Sequence, residues 1–501
     1  MEFHLCSAVG AAIRRWLAQI ARPQIALAAG ALALGACGGG REVPPAPVLF
    51  VGIDGLEPGI VAKLLERGEL PHLAGLIERG TAGRLRSALP TYSPVLWTTI
   101  ATGQGPEEHG VRDFLEPSTQ LPYTSNTRQV PALWNLVDEQ GLSADVLGWW
   151  ITWPAEPIRG RVLASYAAQA QATAIWKPSL FHSMSGLSHP EELAVDLWND
   201  LAPLLDPEQA LDALHREFPR ARPVDAEQEP EQHGLNDRLV RDLGWTWSGD
   251  AGFALGAEYC LDNDPAPLVM VYQSLPDVAG HRFWRYHQPS DFDYAASIPQ
   301  RALEDFRRHV ELSYVHSDLA LGRMLERIDG DWNVIVCSDH GMHADQTLLD
   351  DPWAITSGHH RDAPDGLLVV SGPAFARSAP RLNGDAEPLA ELRELAPLVL
   401  RLLDLEVPDH WRFADELSPV FRLLGADWAA AHPLNTGGFD DAAWRRRHPR
   451  SAAQDPGSGS SEEFLQRFKE LGYIDDDPAA EDALPQGGES ASQEEPASGG
   501  E

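Results

Sequence analysis

The sequence predicts an α/β fold: a mostly parallel central sheet flanked by helices on both faces, with an inserted cap region. Three observations predict it. Short apolar runs recur without polar alternation, as expected of strands buried on both faces. Helical patterns stand between them, the rhythm of a doubly wound sheet. One span, about 155–265, breaks that rhythm with Trp-, Pro- and acid-rich sequence and long helical patches, and reads as an insertion or cap.

The elements follow in chain order. Val48–Ile53 (VLFVGI) is the first apolar run, followed by a helical pattern over Ile60–Arg67. A helix over Pro131–Gln140 precedes a strand at Asp145–Trp149. Leu268–Gln273, Trp332–Cys337 and Leu367–Ser371 are three more strands, and Ile298–Ile328 reads as one long amphipathic helix between two of them. Sheets of this kind place their sites beyond the carboxyl ends of the strands.

The two ends read differently. Arg14, Arg15 and Arg22 precede the apolar run Ile25–Leu34, which suits the core of an export signal and is too short to span a membrane. It ends in Leu34-Gly35-Ala36-Cys37, which resembles a bacterial lipobox, so residues 1–36 are expected to be removed and Cys37 to carry lipid. An ordinary signal peptide, and faintly a twin-arginine one, are the alternatives. The expected location is the cell envelope, on the exported side of a membrane. Residues 37–46 read as a linker, 47–425 as the catalytic domain and 426–474 as an extension. Within that extension Phe464, Leu465, Phe468 and Leu471 fall at helical spacing and predict a docking helix. Residues 475–501 read as a disordered acidic tail.

Charge excludes one class of partner. The chain carries 39 Lys+Arg against 74 Asp+Glu, a net of −35. Such a surface repels a polyphosphate backbone, so no broad nucleic-acid face is expected. Four cysteines do not make a disulfide framework.

The carboxyl strand ends carry the chemistry. Val48–Ile53 runs into Asp54, Leu268–Gln273 into Asp277 and His281, and Trp332–Cys337 into Asp339 and His340. One strand ending in Asp is an ordinary turn. Three such ends, two of them also supplying His, suit zinc or a similar divalent ion. Asp277 and His281, four residues apart, can meet at one ion if their segment makes a turn. Ser93 opens the apolar helical stretch that follows Pro90-Thr91-Tyr92. By local sequence it is a helix N-cap, or a nucleophile at a helix N-terminus that offers free N–H groups to an anion.

Together these residues resemble the alkaline phosphatase superfamily, closest to the type I phosphodiesterase/nucleotide pyrophosphatase group and its phosphohydrolase and phosphomutase relatives. The matching pieces are GIDGL at 52–56, PTYSPVLWTTIATG at 90–103, Pro106–Val111, PDVAGH at 276–281, SDHGM at 338–342, Gly358-His359-His360-Arg361 and Leu395–Pro408. The resemblance implies two divalent ions, zinc or manganese. One would lie on Asp54, Asp339, His340 and Ser93, the other on Asp277, His281 and His360, with His359 as the alternative to His360. Ser93 would be the nucleophile, a phosphoseryl species the intermediate, and a small phosphoester the substrate. The resemblance also implies a structural role for His109, in a Pro-x-x-His-Gly turn.

Two departures bear on substrate. The nucleotide pyrophosphatases carry an asparagine where this chain has Phe114, so nucleotide specificity does not follow; Arg112 is either a substitute anion contact or a surface residue. No arginine follows Ser93 at the place where sulfatases require one. Trp149, Trp150, Trp153, Phe283, Trp284 and Tyr286 crowd two strand ends, as core packing beneath the loops or as walls of a cleft. A mutase or transferase using the same two ions, and a binding protein that kept the fold alone, are the rival readings.

Overall fold

The computed structural model describes residues 45–119, 122–165, 186–194, 196–197, 213–218, 230–384 and 386–448. The signal segment, Cys37, the docking helix over 463–474 and the acidic tail lie outside the described residues. No helix among the described residues is long and apolar enough to cross a membrane.

In chain order the elements are β1 Val48–Ile53, α1 Pro58–Glu66, α2 Pro71–Arg79, β2 Thr81–Arg86, α3 Ser93–Thr102, α4 Pro106–His109, α5 Leu133–Glu139, β3 Ala144–Leu147, β4 Gly160–Leu163 and β5 Ser188–His189. Then follow α6 Pro230–Asp262, β6 Leu268–Gln273, α7 Leu275–His287, α8 Gln300–Phe306, α9 His309–Leu325, β7 Asn333–Cys337, β8 His343–Ala344, β9 Gly358–His359, β10 Gly366–Ser371, β11 Ala390–Glu391 and α10 Leu395–Leu402. The chain continues through β12 Val407–Pro408, α11 Ala426–Ala431, β13 Thr436–Gly437 and α12 Asp441–Arg447.

Nine strands form one sheet in the order β11-β2-β10-β7-β1-β6-β3-β4-β5. The central five, β7 to β4, run parallel, while β10 is antiparallel to both neighbours and β5 to β4. The alternation along β1 divides the core in two. Val48 and Phe50 join Trp97, Trp134, Trp149 and the α10 residues Leu395, Ala396 and Leu398 on one face. Leu49, Val51 and Ile53 join α1, α2, α6, α7 and α9 on the other. Both faces are covered, which is why these strands read as unbroken apolar runs.

The described part of 155–265, expected as an insertion or cap, joins the main sheet. It supplies β4, β5 and the long helix α6. The tie is a part-buried ion pair, Arg161 to Asp145 at 2.7 Å, between register partners of the parallel β3–β4 ladder. The single helix expected over Ile298–Ile328 is two helices, α8 and α9, broken at Arg307–Arg308. The break lets Phe306 and His309 both pack on Phe283, at ring distances of 5.3 and 4.8 Å, while Arg308 turns out to Glu311.

His309 therefore titrates in the unfolded chain and not in the fold. Burial lowers its pKa to about 3. The unfolded chain takes up this proton near pH 6.5, so the stability it contributes is lost as pH falls from there toward the folded value. His309→Phe is expected to flatten the slope of unfolding free energy against pH by up to about 1.4 kcal/mol per unit, between roughly pH 6 and 4. Urea titrations across that range check it; parallel slopes for the two proteins would refute the assignment.

Candidate active site

The site lies at the carboxyl ends of β1, β6 and β7, which are adjacent in the sheet. Asp54 follows β1, and its N–H continues the ladder by donating to Gln273 O at 2.9 Å. The turn after it needs a glycine. Gly55 has φ +73°, and a Cβ there would stand 2.7 Å from the Asp277 Cα. The close approach brings the ends of β1 and β6 together, and with them Asp54 and Asp277.

Beyond β6 the chain enters α7 at Leu275, so Asp277 and His281 lie one turn apart on one helix face. His281 Nε2 is 3.4 Å from Asp277 Oδ1. Its Nδ1–H donates to Gly358 O at 2.7 Å, which leaves Nε2 with a free lone pair. Ser357 N–H donates to His281 O at 2.6 Å, so the loop carrying His359 and His360 is sewn to α7. Beyond β7, Ser338 Oγ donates to His340 O and accepts from Leu56 N–H, each at 2.8 Å, and this shapes the bend that lets Asp339 and His340 face one centre. His340 Nδ1–H donates to Gly341 O at 2.9 Å, again leaving Nε2 free.

Four of these residues meet closely. His340 Nε2 lies 3.2 Å from Asp54 Oδ1, 3.5 Å from Asp339 Oδ2 and 4.0 Å from Asp277 Oδ1. His360 Nε2 is 3.6 Å from Asp277 Oδ1 and 3.1 Å from His281 Nε2. Two ligand-like groups result: Asp54, Asp339 and His340, and Asp277, His340 and His360. His340 lies between them, within reach of both. His359 stands aside, its Nδ1 accepting the His360 N–H at 2.8 Å.

The electrostatics of this cluster suit a cation. Asp54 Oδ1, both oxygens of Asp277 and of Asp339, and His340 Nε2 are buried with no hydrogen-bond partner. Each such atom carries the full cost of leaving water. Burial first, then the Asp54 charge, pushes the Asp277 and Asp339 pKa values well above the usual carboxylate range. Burial, followed by Arg282, lowers His281 to about 4, and burial, followed by the crowding of the other histidines, lowers His360 well below its ordinary value. Neutral imidazoles beside concentrated carboxylate oxygen form a donor set suited to divalent ions of the zinc type.

Asp54 is held from its other side. Its Oδ2 accepts from Trp97 Nε1 at 2.9 Å and from Tyr272 Oη at 2.7 Å, which aims Oδ1 at the cluster. Sequence reading missed both donors, since an apolar helix and a buried strand mark them only as core. Trp97 also locates Ser93, four residues earlier and on the same face of α3. Ser93 is the first residue of α3 and is buried, and the cap position is Tyr92, which makes no side-chain cap bond. The Ser93 hydroxyl has no hydrogen-bond partner among the described residues. Of the N–H groups at this helix N-terminus, that of Val95 donates to Tyr92 O at 2.8 Å and Pro94 has none, leaving the Ser93 N–H in this turn.

Other expected residues sit further off. His109 uses both ring nitrogens to brace α3, accepting from Val111 N–H and bonding Thr99 Oγ1, each at 3.1 Å. Phe114 is buried against Tyr92 and Trp150 at ring distances of 5.7 and 6.0 Å, and Arg112 is exposed. Trp149, Trp150, Trp153, Phe283, Trp284 and Tyr286 are all buried in the core. His343 bonds Asp362 at the rim.

The chain also matches a known family. The family model described as type I phosphodiesterase / nucleotide pyrophosphatase matches residues 48–448. No curated protein matches the chain. Among solved structures, human ectonucleotide pyrophosphatase/phosphodiesterase 5 and its murine counterpart are each 14% identical at a TM-score of 0.42, covering 76% of this chain and 100% of theirs. A 2-O GAG sulfatase is 13% identical at a TM-score of 0.42, covering 74% of this chain and 72% of its own.

Proposed function

Because the chain belongs to the type I phosphodiesterase / nucleotide pyrophosphatase family and is a hydrolase of phosphoester bonds, we propose that Ser93 is its nucleophile and that two divalent ions, zinc or manganese, serve it. The observation that carries this reading is the set of unpartnered buried carboxylate and imidazole atoms beside the helix face that bears Ser93. Asp54, Asp339 and His340 would hold one ion with Ser93, and Asp277, His281 and His360 the other. Such ions supply Lewis acidity and lower the pKa of an attacking hydroxyl.

The chain's own residues do the rest. Ser93 Oγ forms a bond to phosphorus as the ester P–O bond breaks, and its proton leaves as the departing oxygen gains one. Water then breaks the Oγ–P bond and restores the hydroxyl. The Ser93 N–H stands where it can donate to the developing oxyanion. Trp97 and Tyr272 fix the orientation of Asp54 throughout. Acid quenching during turnover of an aryl phosphoester is expected to trap a phosphoryl adduct on the peptide containing Ser93. Turnover with no adduct under rapid quench would count against the covalent route, and products on added alcohols would indicate transfer rather than hydrolysis.

The substrate is proposed to be a small phosphoester; nucleotide specificity does not follow, since Phe114 stands where the nucleotide pyrophosphatases carry asparagine. Export and anchoring by lipid on Cys37 rest on the sequence pattern alone.

A further inference from the structure

We propose that Asp250 and Asp242, on α6, form a clamp that positions the Asp277–His281 pair of the candidate metal centre. The inference rests on the metal reading above and adds positioning residues to it. Asp250 is fully buried, and it accepts four hydrogen bonds from the start of α7. The donors are Ser274 N–H, to both carboxylate oxygens at 2.9 Å, Ser274 Oγ at 3.1 Å and Leu275 N–H at 2.7 Å. Ser274 is the cap position of α7, yet its own side chain makes no cap bond. A carboxylate from 24 residues away takes that place. It meets the exposed N–H groups and the positive end of the helix dipole, where a negative charge is most favourable.

The other jaw is independent of the first. Asp242 Oδ2 accepts from Arg282 Nε at 3.0 Å, and the Arg282 side chain is 0% exposed. Asp242 and Asp250 are eight residues apart, close to two full turns, so they share one face of α6. Their partners, Leu275 and Arg282, are seven apart on α7, so the two helices run antiparallel with matched spacing. Asp277 and His281 lie between the two gripped points. A helix fixed at both ends of its ligand-bearing segment cannot slide or rotate, and this holds both ligands in register with His360. Removing residues that orient metal ligands typically weakens binding about 10- to 100-fold.

The test uses the full chain and zinc alone, with Asp250→Asn as the main variant. The amide keeps the volume but removes the charge and turns one acceptor into a donor against the Ser274 and Leu275 N–H groups. Zinc is titrated into metal-free protein against a competing chelator, and amide exchange over 274–278 is measured on the metal-free form. The expected result is one ion bound as tightly as in the wild type and the second weakened about 10- to 100-fold. Exchange at Leu275 should be faster, and turnover should return at high zinc. Ser274→Ala, which removes one of the four bonds, should move both readouts the same way by a smaller factor, and it gives the answer if Asp250→Asn does not fold. Unchanged second-ion affinity, or equal weakening of both ions, overturns the clamp. A wild-type chain that binds no zinc overturns the metal reading instead, and amide exchange then judges the clamp by itself.

Discussion

Ser93→Ala is expected to lower turnover of an aryl phosphoester by at least about a thousandfold, while Asp54, Asp339 and His340 still hold their ion and the melting temperature stays close to the wild-type value. The two halves of this expectation have separate causes. The hydroxyl is the only group on that helix face able to form a bond to phosphorus, so its loss removes the covalent step. The fold barely registers the change, because the hydroxyl is buried without a hydrogen-bond partner among the described residues. Its removal orphans no partner and opens only a hydroxyl-sized space, so none of the mechanisms behind large destabilisation applies and a change of about 1 kcal/mol or less is expected. Steady-state kinetics beside metal analysis and a thermal melt check both halves. Activity within tenfold of wild type would sink the nucleophile assignment. A large drop in melting temperature would show that Ser93 also supports the fold.

Metal removal is the second large effect. Chelation is expected to abolish turnover and to lower the melting temperature, with both restored by zinc or manganese. Ions that bind only the folded chain stabilise it by about 4 kcal/mol at a thousandfold excess over Kd. In the metal-free fold the five unpartnered carboxylate oxygens of Asp54, Asp277 and Asp339 face one another without compensation. His340 is the residue whose loss should matter most, since its Nε2 reaches both ligand groups. His340→Ala should reduce the affinity for both ions and lower activity by about a thousandfold or more. Metal titration of that variant decides the point: loss of one ion with the other intact would assign His340 to a single site.

The sequence made much of this legible. Apolar runs located the strands because burial on both faces leaves no polar alternation to hide them. The strand-end residues Asp54, Asp277, His281, Asp339 and His340 stood out because three Asp-bearing ends exceed what turns need. What stayed hidden has a common physical cause. Trp97, Tyr272, Asp250 and Asp242 act across 24 to 218 residues of chain, and no local spacing encodes such contacts. That part of the span 155–265 joins the main sheet was hidden for the same reason. Its strands β4 and β5 are short, and the Arg161–Asp145 pair and the β3–β4 ladder reveal the sheet they join.

Sequence by itself determined the α/β class, the set of chemical groups at the strand ends and the motif order that marks the family. Those follow from local hydrophobic period and residue type, which every segment carries with it. Tertiary structure alone decided that His340 lies between two ligand groups, and it brought His360, the histidine the resemblance favoured, to face Asp277. It also decided that Asp54 is aimed by an indole and a phenol, and that α7 is capped by a distant carboxylate. Each is a matter of which buried polar atom finds a partner and which is left without one, and that is settled only when the chain is packed.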